Sequence, residues 1–544
     1  MSGQKIAFIN PNLVLQKSDP FTTGVVYMPY SLAWFVSSAR KAGFDCQVVD
    51  AFGEKPNQFW IDKHFVFRGL TPQEVAASVT DASVIVLYAI NLTYHMALVG
   101  IIRELKKQNP SRPIVVLENT QAVTAYSLRR VQEEFYKLGV DYVITGEAEQ
   151  RGIQLLQGIT EGRSTDDIRS IEGIGFRDGD STHYTPPKTK IDDLDSLPFP
   201  AWDLFPIQNY WKLRYGHGPL SSSKYLPLLT SRGCPYPCRF CVIPETNDVR
   251  WRPRSAKNVV DEIEHFKNTY GVTEFHIEDV DPTVKDSRTQ ELCEEILRRN
   301  LKITWKICSG TKVETLKSEK TIELMARAGC RYISVSPESG SPRVLKLIKK
   351  PFDIEHAIEL IGVMNRVGIR SQACFVLGFP GEEAEDRALT EKMVERLVRG
   401  GLDEIAIFII TPVPGSAIFD QFSGYDSYSD LHFSPTWRVD YEELNRFRLA
   451  LYRKFMLWKL RYHPFRLLKQ PFNFLSRHFE TKMEMVPYRA FHTVLMMKGL
   501  CGNQVHPPVQ LGADVVSLPG APNGRFPTGE RSREEMQEMQ RSNS

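Results

Sequence analysis

Two blocks of this chain alternate short apolar runs with helical runs, and no other feature restricts the fold as much. In the first block KIAFINP, CQVVDA, SVIVLYA, PIVVLEN and YVITGE are separated by YSLAWFVSSARKAG, QEVAASVTD, MALVGIIRELKKQ and SLRRVQEEFYKLG, with EQRGIQLLQG following. Runs that stay apolar at nearly every position are strands covered on both faces, the condition of a parallel sheet flanked by helices. Residues 1–160 are therefore expected as an α/β domain built on a doubly wound, flavodoxin-like parallel sheet. Residues 161–224 change character: GFRDGDSTHYTPPKTK reads as a polar hairpin and DDLDSLPFPAWDLFP as a Pro-rich connector, which together make a linker.

The second alternation starts at YLPLLTS and runs through EFHIED, ITWKICS, YISVSPES, SQACFVLGF and EIAIFIITPVPG. Ser255 is placed to cap its first helix, in which Val259, Val260, Ile263, Phe266 and Tyr270 recur at helical spacing. Six β/α units fall short of a closed eight-unit barrel, so residues 225–420 are expected as an open, partial (β/α)6 barrel. Beyond residue 420 the strand pattern stops. YEELNRFRLALYRKFMLWKLRYH places Leu444, Phe447, Leu451, Phe455, Trp458 and Tyr462 on one helical face, giving a helical region over 421–502. Residues 503–544 are rich in Pro and Gly without periodicity and are expected to be disordered. A chain of 544 residues is long enough for several such cores.

A net charge of +3 gives no overall reason to expect nucleic acid. The nine cysteines are odd in number and lack paired spacing, which argues against a secreted disulfide framework. MSGQKIAFINPN carries no secretory pattern, and no apolar run reaches the ~18 residues of a membrane span. A soluble, cytoplasmic protein is expected. Three of the cysteines stand together in RGCPYPCRFC, with Cys234, Cys238 and Cys241 spaced CxxxCxxC. Three thiolates and a histidine can hold zinc, but His217 lies seventeen residues upstream and His265 falls inside a helical pattern. The same three thiolates suit a 4Fe-4S cluster, and they leave one iron without a protein ligand.

This loop, the strand before it and Phe240 just ahead of the third cysteine resemble the radical S-adenosylmethionine (radical SAM) superfamily, over roughly residues 225–420. The resemblance implies that Cys234, Cys238 and Cys241 hold the cluster and that S-adenosylmethionine binds the open iron and is cleaved to a 5′-deoxyadenosyl radical. It places S-adenosylmethionine contacts on Phe240 and on strand-end residues: Glu278 beside Asp279, Ser336 and Glu338 beside Ser339 in SVSPESGS, and Gly378 in GFPGEE. Barrels collect active sites at those ends. Taken singly, Glu278 or Glu338 reads as a solvated loop acid; the matched strand ends together with the cysteine loop carry the resemblance.

The order of a doubly wound domain before such a barrel is similar to class B of that family, in which the front domain binds cobalamin. The resemblance puts Tyr88 and Asn91, with Tyr94, near cobalt, and Gly146 and Glu147 of YVITGEAEQ at the closing segment. The sequence departs from the pattern twice. DxHxxG is absent, so no protein histidine on cobalt is expected, and Leu117, Glu118 and Asn119 stand where a glycine pair is usual. A front domain that only packs on the barrel is the bland alternative. No GxGxxG follows the first strand, which disfavours a dinucleotide.

The implied function is a radical SAM enzyme, a cobalamin-dependent methyltransferase or cyclase that methylates, rearranges or cyclises an unactivated carbon of a small molecule. Its electrons come from an external one-electron reductant of flavodoxin or ferredoxin type. A radical SAM enzyme without cobalamin, and a non-catalytic electron-transfer or redox-sensing protein, are the alternatives. A methylthiotransferase is disfavoured, because only Cys46 precedes Cys234. Residues 446–498 hold 12 Lys or Arg against 2 Asp or Glu, which suits either a lid with a solvated cationic face or a peripheral contact with anionic lipid.

Overall fold

The computed structural model describes residues 4–499. The disordered tail expected over 503–544 lies outside the described residues. The first ten strands are β1 (Lys5–Asn10), β2 (Leu13–Gln16), β3 (Asp45–Asp50), β4 (Phe59–Asp62), β5 (Phe65–Arg68), β6 (Val84–Ala89), β7 (Ile114–Glu118), β8 (Tyr142–Ile144), β9 (Ile174–Asp178) and β10 (Ser181–Tyr184). Five of them form the parallel sheet β3-β1-β6-β7-β8, and the strand order reverses at β1. Every residue of β6 and β7 is buried, as continuously apolar strands between two helical layers must be.

Two features correct the expected layout. The hairpin β9–β10 is not a free connector, because β9 pairs antiparallel with β8 and carries the first sheet to seven strands. The boundary expected at residue 160 therefore cuts through this sheet. A polar hairpin is legible in sequence, whereas the unpaired edge of β8 that receives it is a tertiary fact. Second, β2, β5 and β4 form a small antiparallel sheet that the pattern did not signal, their runs of four residues being too short to show a period.

The barrel block comprises β11 (Tyr225–Leu228), β12 (Ser231–Arg232), β13 (Arg252–Pro253), β14 (Glu274–Ile277), β15 (Thr304–Thr311), β16 (Cys330–Glu338), β17 (Arg370–Leu377) and β18 (Glu404–Ile409). Six of these form one parallel sheet in chain order, β11-β14-β15-β16-β17-β18, with β11 and β18 as its open edges. Ser255 caps the helix Ala256–Tyr270 by accepting from the Asn258 amide at 3.1 Å. The short ribbon β12–β13 brackets the cysteine loop.

The helix Tyr441–Tyr462 buries Leu444, Leu451 and Phe455 against the barrel, with Phe447, Trp458 and Tyr462 packed at the margin. Truncating a core ring such as Phe455 costs about 3–5 kcal/mol. The helix Lys482–Met497 crosses the open side of the barrel, where the Met483 amide donates to Glu404 Oε2 at 2.6 Å. Its Met496 packs with Leu15, Phe59 and Val66 of the small sheet. Among the described residues no helix is long and apolar enough to cross a membrane.

Candidate active site at the mouth of the open barrel

The cysteine loop leaves β12 through Gly233, whose φ of +77° belongs to the left-handed region. A Cβ there would lie 2.0 Å from the Arg250 carbonyl oxygen, so the turn admits only glycine. Ahead of it Arg232 pairs with Glu149 at 2.5 Å and stacks 4.7 Å from the Trp34 ring. The next strand of the ribbon sends Arg252 to Glu147. The Gly233 amide donates to Gln121 Oε1 at 3.3 Å, and Asn247 Nδ2 donates to the Thr120 carbonyl at 2.8 Å. The loop is thereby clamped to the carboxyl edge of the first sheet.

Within that clamp Cys234, Cys238 and Cys241 gather with Ile243, Tyr236, Phe240 and Val280 in one apolar cluster. Burial pushes the Cys234 thiol up to about 12 and raises Cys238 and Cys241 as well, and the neighbouring sulfurs add to the rise at Cys241. Lys350 opposes this: it pairs with Glu338 and sits 5.7 Å from the centre of the Phe240 ring. Three close sulfurs in an apolar pocket form a soft donor set of the kind that holds iron–sulfur clusters. Loading must release the thiol protons, which couples binding to pH.

The expected strand-end residues divide into groups. Phe240 packs edge-on against Phe379 at 5.5 Å, beside Gly378. Gly378 is covered by the C-terminal region: its carbonyl accepts from Arg438 at 3.0 Å and its amide donates to Glu382. Glu338, at φ +63° beside a β-bulge, meets Lys350 next to the cysteine loop. Ser336 lies close to Gly310 of β15. Glu278 faces the lumen, where its Oε2 accepts from His217 Nδ1 at 2.7 Å and from Ser309 Oγ at 2.6 Å. Burial opposes its charge, but His217 and Ser309 outweigh burial and hold the carboxyl below its ordinary range. Burial likewise lowers His217, so a neutral ring donates to a carboxylate. Asp279 turns away and accepts from the Thr230 amide and hydroxyl, both at 2.7 Å, and from Ser231 at 2.5 Å. Ser339 is buried and supports the turn at Ser341.

At the first sheet, the residues expected near cobalamin are engaged internally. Tyr88 is buried and hydrogen-bonded to Ser31. Asn91 Oδ1 accepts from the Thr93 amide and hydroxyl at 3.0 and 2.7 Å. The Tyr94 hydroxyl donates to Val25 O at 3.3 Å. The Gly146 amide donates to Glu118 Oε2 at 2.7 Å, and Glu147 also accepts from the Ile191 amide at 2.8 Å. In place of a glycine pair, Leu117 is core, Glu118 ties β7 to the next loop, and Asn119 donates to Ile90 O at 2.7 Å. The loops 11–29, 90–94, 119–127 and 145–147 contain no histidine. His95, next in the chain, turns to Tyr126 at 3.2 Å and Glu134 at 3.4 Å. A cavity of about 10 Å³ lies between Val26–Tyr30 and His217, Tyr225, Pro227 and Glu278.

Sequence reasoning passed over His217 except as a remote zinc ligand. Its signal was the GHGP run, in which a side chain flanked by two glycines can be pressed deep into another element. Lys482, one of the 12 Lys or Arg of the basic stretch 446–498, turns inward: its Nζ donates to the Cys308 carbonyl at 3.0 Å and lies 3.5 Å from His217 Nε2.

Residues 228–394 match the model of the radical SAM superfamily. An uncharacterised methyltransferase of Pyrococcus horikoshii is 27% identical over 299 residues, 55% of this chain and 61% of that protein. The anaerobic magnesium-protoporphyrin IX monomethyl ester cyclase of Cereibacter sphaeroides is 27% identical over 475 residues, 84% of this chain and 71% of that protein. Among solved structures, the radical S-adenosylmethionine methyltransferase TsrM of Kitasatospora setae, with cobalamin and a [4Fe-4S] cluster bound, superposes with a TM-score of 0.58 at 18% identity, covering 77% of this chain and 78% of that one. That likeness establishes a shared fold. Residues 228–394 of this chain are a radical SAM domain.

Proposed function

We propose that this chain is a cobalamin-dependent radical SAM enzyme that methylates, rearranges or cyclises a carbon of a small-molecule substrate, using an external one-electron reductant. The observation that carries the reading is the clamp: the three-cysteine loop is bonded directly to the carboxyl edge of the first sheet, through Gly233 to Gln121 and Asn247 to Thr120. Cys234, Cys238 and Cys241 hold the cluster. Bound there, a 4Fe-4S cluster supplies the low-potential electron that cleaves S-adenosylmethionine, and cobalamin on the first sheet supplies the methyl-group carrier. Phe240 and Phe379 wall the site against water. Glu278 with His217 and Glu338 with Lys350 place polar groups at the ends of β14 and β16. The methyltransferase and cyclase relatives support this chemistry.

The test is anaerobic reconstitution with iron, sulfide and hydroxocobalamin, followed by turnover with S-adenosylmethionine and a reductant. Expected are 5′-deoxyadenosine and retained cobalamin whose cobalt(II) spectrum lacks nitrogen superhyperfine structure from a protein histidine. An intact cluster with 5′-deoxyadenosine but no retained cobalamin selects a cobalamin-free radical enzyme. An intact cluster with no 5′-deoxyadenosine selects electron transfer or redox sensing.

We also propose that the C-terminal helices rest on an anionic lipid surface. The helix Tyr441–Tyr462 is apolar on its outward face too, with Leu449, Leu457 and Leu460 each more than half exposed. Phe465, Leu468, Phe472 and Leu475 continue that surface at exposures of 72–81%. Arg453, Arg461, Lys469 and Arg477 are exposed among them. Cationic side chains bordering an apolar strip complement anionic headgroups, whereas a second copy would set arginine against arginine. Flotation with phosphatidylglycerol vesicles should recover the protein at low salt, and Leu457→Ser with Leu460→Ser should abolish recovery. Failure to float, a concentration-dependent doubling of mass, or binding only after removal of residues 500–544 would each overturn this assignment.

A further inference from the structure

We propose that His276, Glu278 and Cys308 form a second metal site in the barrel lumen, selective for a divalent cation of borderline softness such as zinc. One donor atom from each residue lies within 4.8 Å of the others, on the adjacent parallel strands β14 and β15 and the turn that ends β14. All three side chains are at least 96% buried.

The orientation of His276 is the observation that points to an ion. Its Nε2 lies 2.8 Å from Glu274 Oε1, and Glu274 is itself paired with Lys306 at 2.9 Å. With the Nε2 proton directed at a carboxylate, Nδ1 presents a lone pair, and that atom is buried without a hydrogen-bond partner. An imidazole held by a carboxylate on one nitrogen and free on the other is the arrangement by which proteins orient metal-binding histidines. Cys308 contributes a sulfur that makes only a weak hydrogen bond, to the carbonyl of Lys306 at 3.9 Å. Gly218 closes the site: a Cβ on it would stand 2.2 Å from Cys308 Sγ and 2.8 Å from His276 Nδ1, so the covering segment needs glycine to approach so closely.

Size agrees with this reading, and the charge is tolerable: Glu274, Glu278 and the Cys308 thiolate carry three negative charges against two from Lys306 and Lys482, so a bound dication leaves the cluster at +1. Tetrahedral zinc with bonds of about 2.0–2.3 Å needs its ligand atoms roughly 3.3–3.8 Å apart, a contraction of about 1 Å that rotamer adjustment can supply. Binding takes Cys308 as thiolate and His276 as neutral imidazole, so one proton leaves for solvent per ion bound. Three protein ligands leave the fourth position of the ion to a water molecule. This assigns Glu278 to the metal rather than to S-adenosylmethionine. The site shares no ligand with the cysteine loop and does not depend on the reaction proposed above.

The experiment is zinc K-edge absorption on the anaerobic, cluster-loaded protein given one equivalent of zinc, with zinc and iron measured per chain. Expected is a shell with one sulfur at about 2.3 Å and two or three nitrogen or oxygen atoms at about 2.0–2.1 Å. Cys308→Ala should lose the sulfur shell while keeping its iron. Glu274→Gln keeps all three ligands and should weaken zinc about 10–100-fold in a chelator competition, the usual effect of removing a histidine's outer partner. It also keeps the test decisive if Cys308→Ala fails to fold. Zinc that binds equally to wild type and both variants, zinc that fails to bind wild type, or a shell of three sulfurs marking the Cys234 loop would overturn the proposal.

Discussion

The two parallel sheets of this protein end in carboxyl edges that face each other, and the two edges are built to opposite purposes. At the barrel edge the reactive groups are only lightly engaged: three sulfurs share an apolar pocket, with the Ile243 amide donating to Cys241 at 3.4 Å, and His276 Nδ1 has no hydrogen bond. At the edge of the first sheet the polar groups are committed, with Asn91 capping its own turn, Asn119 on Ile90, Glu118 on two backbone amides and Glu147 on Arg252. A group already bonded costs free energy to recruit, whereas an unsatisfied buried group gains by binding. The barrel edge thus offers uncommitted donor atoms, and the first sheet, where cobalamin is proposed to bind, is the platform that fixes where the cysteine loop stands.

The largest effect that can break this contrast is loss of a sulfur. Cys234→Ala, Cys238→Ala or Cys241→Ala should each reduce cluster absorbance and 5′-deoxyadenosine to background, measured on anaerobically reconstituted protein. A full iron complement in the triple variant would move the cluster to Cys308, Cys330 or Cys374.

Next in size is the clamp. Arg232 and Glu149 are 3% and 5% exposed in their side chains, and removing one partner of a buried ion pair typically costs about 3–5 kcal/mol. Arg232→Ala should lower stability by that amount in a denaturant titration and also reduce iron loading, because Gly233 then loses its anchored neighbour. A cycle with Glu149→Ala isolates the pair. A cost under about 1 kcal/mol, the range of an exposed pair, would show that the platform does not hold the loop.

The smallest effect is titration at the platform. Burial raises the Glu118 carboxyl from 4.5 to about 7, outweighing the amides of Gly146 and Leu128 that favour its charge. Between those values the folded chain binds the proton that the unfolded chain releases, so this group's contribution is complete below pH 4.5 and is lost as pH rises through about 7. Comparing wild type with Glu118→Gln by urea midpoints at pH 5 and pH 8 should show wild type losing on the order of 2–3 kcal/mol of its advantage across that window. A difference that stays flat with pH would mean Glu118 is ionised throughout and the platform is more hydrated than its burial implies.

What could be read in the chain before folding followed the range of each interaction. The barrel strands were legible because each is a local apolar run, and chain order equals sheet order. The cysteine loop was legible because its three sulfurs fall within eight residues. The small sheet β2-β5-β4 was not, since four-residue strands carry no measurable period. Glu147 was expected beside a cofactor, and its engagement by Arg252 spans 105 positions, a separation at which sequence pattern carries no signal. His217 and Lys482, separated by 265 positions, meet for the same reason.

By itself the sequence determined that this protein would hold two parallel α/β blocks, the second an open barrel, and a three-sulfur loop at the end of the barrel's first strand, because period, apolar content and spacing act over a few residues. Only the tertiary structure decided that the linker hairpin completes the first sheet, that polar groups along the edge of that sheet bond to one another and clamp the loop, and that His217, His276, Glu278 and Cys308 share one lumen. Those outcomes depend on which groups lose water together, and that is settled when distant segments pack, not when each is read alone.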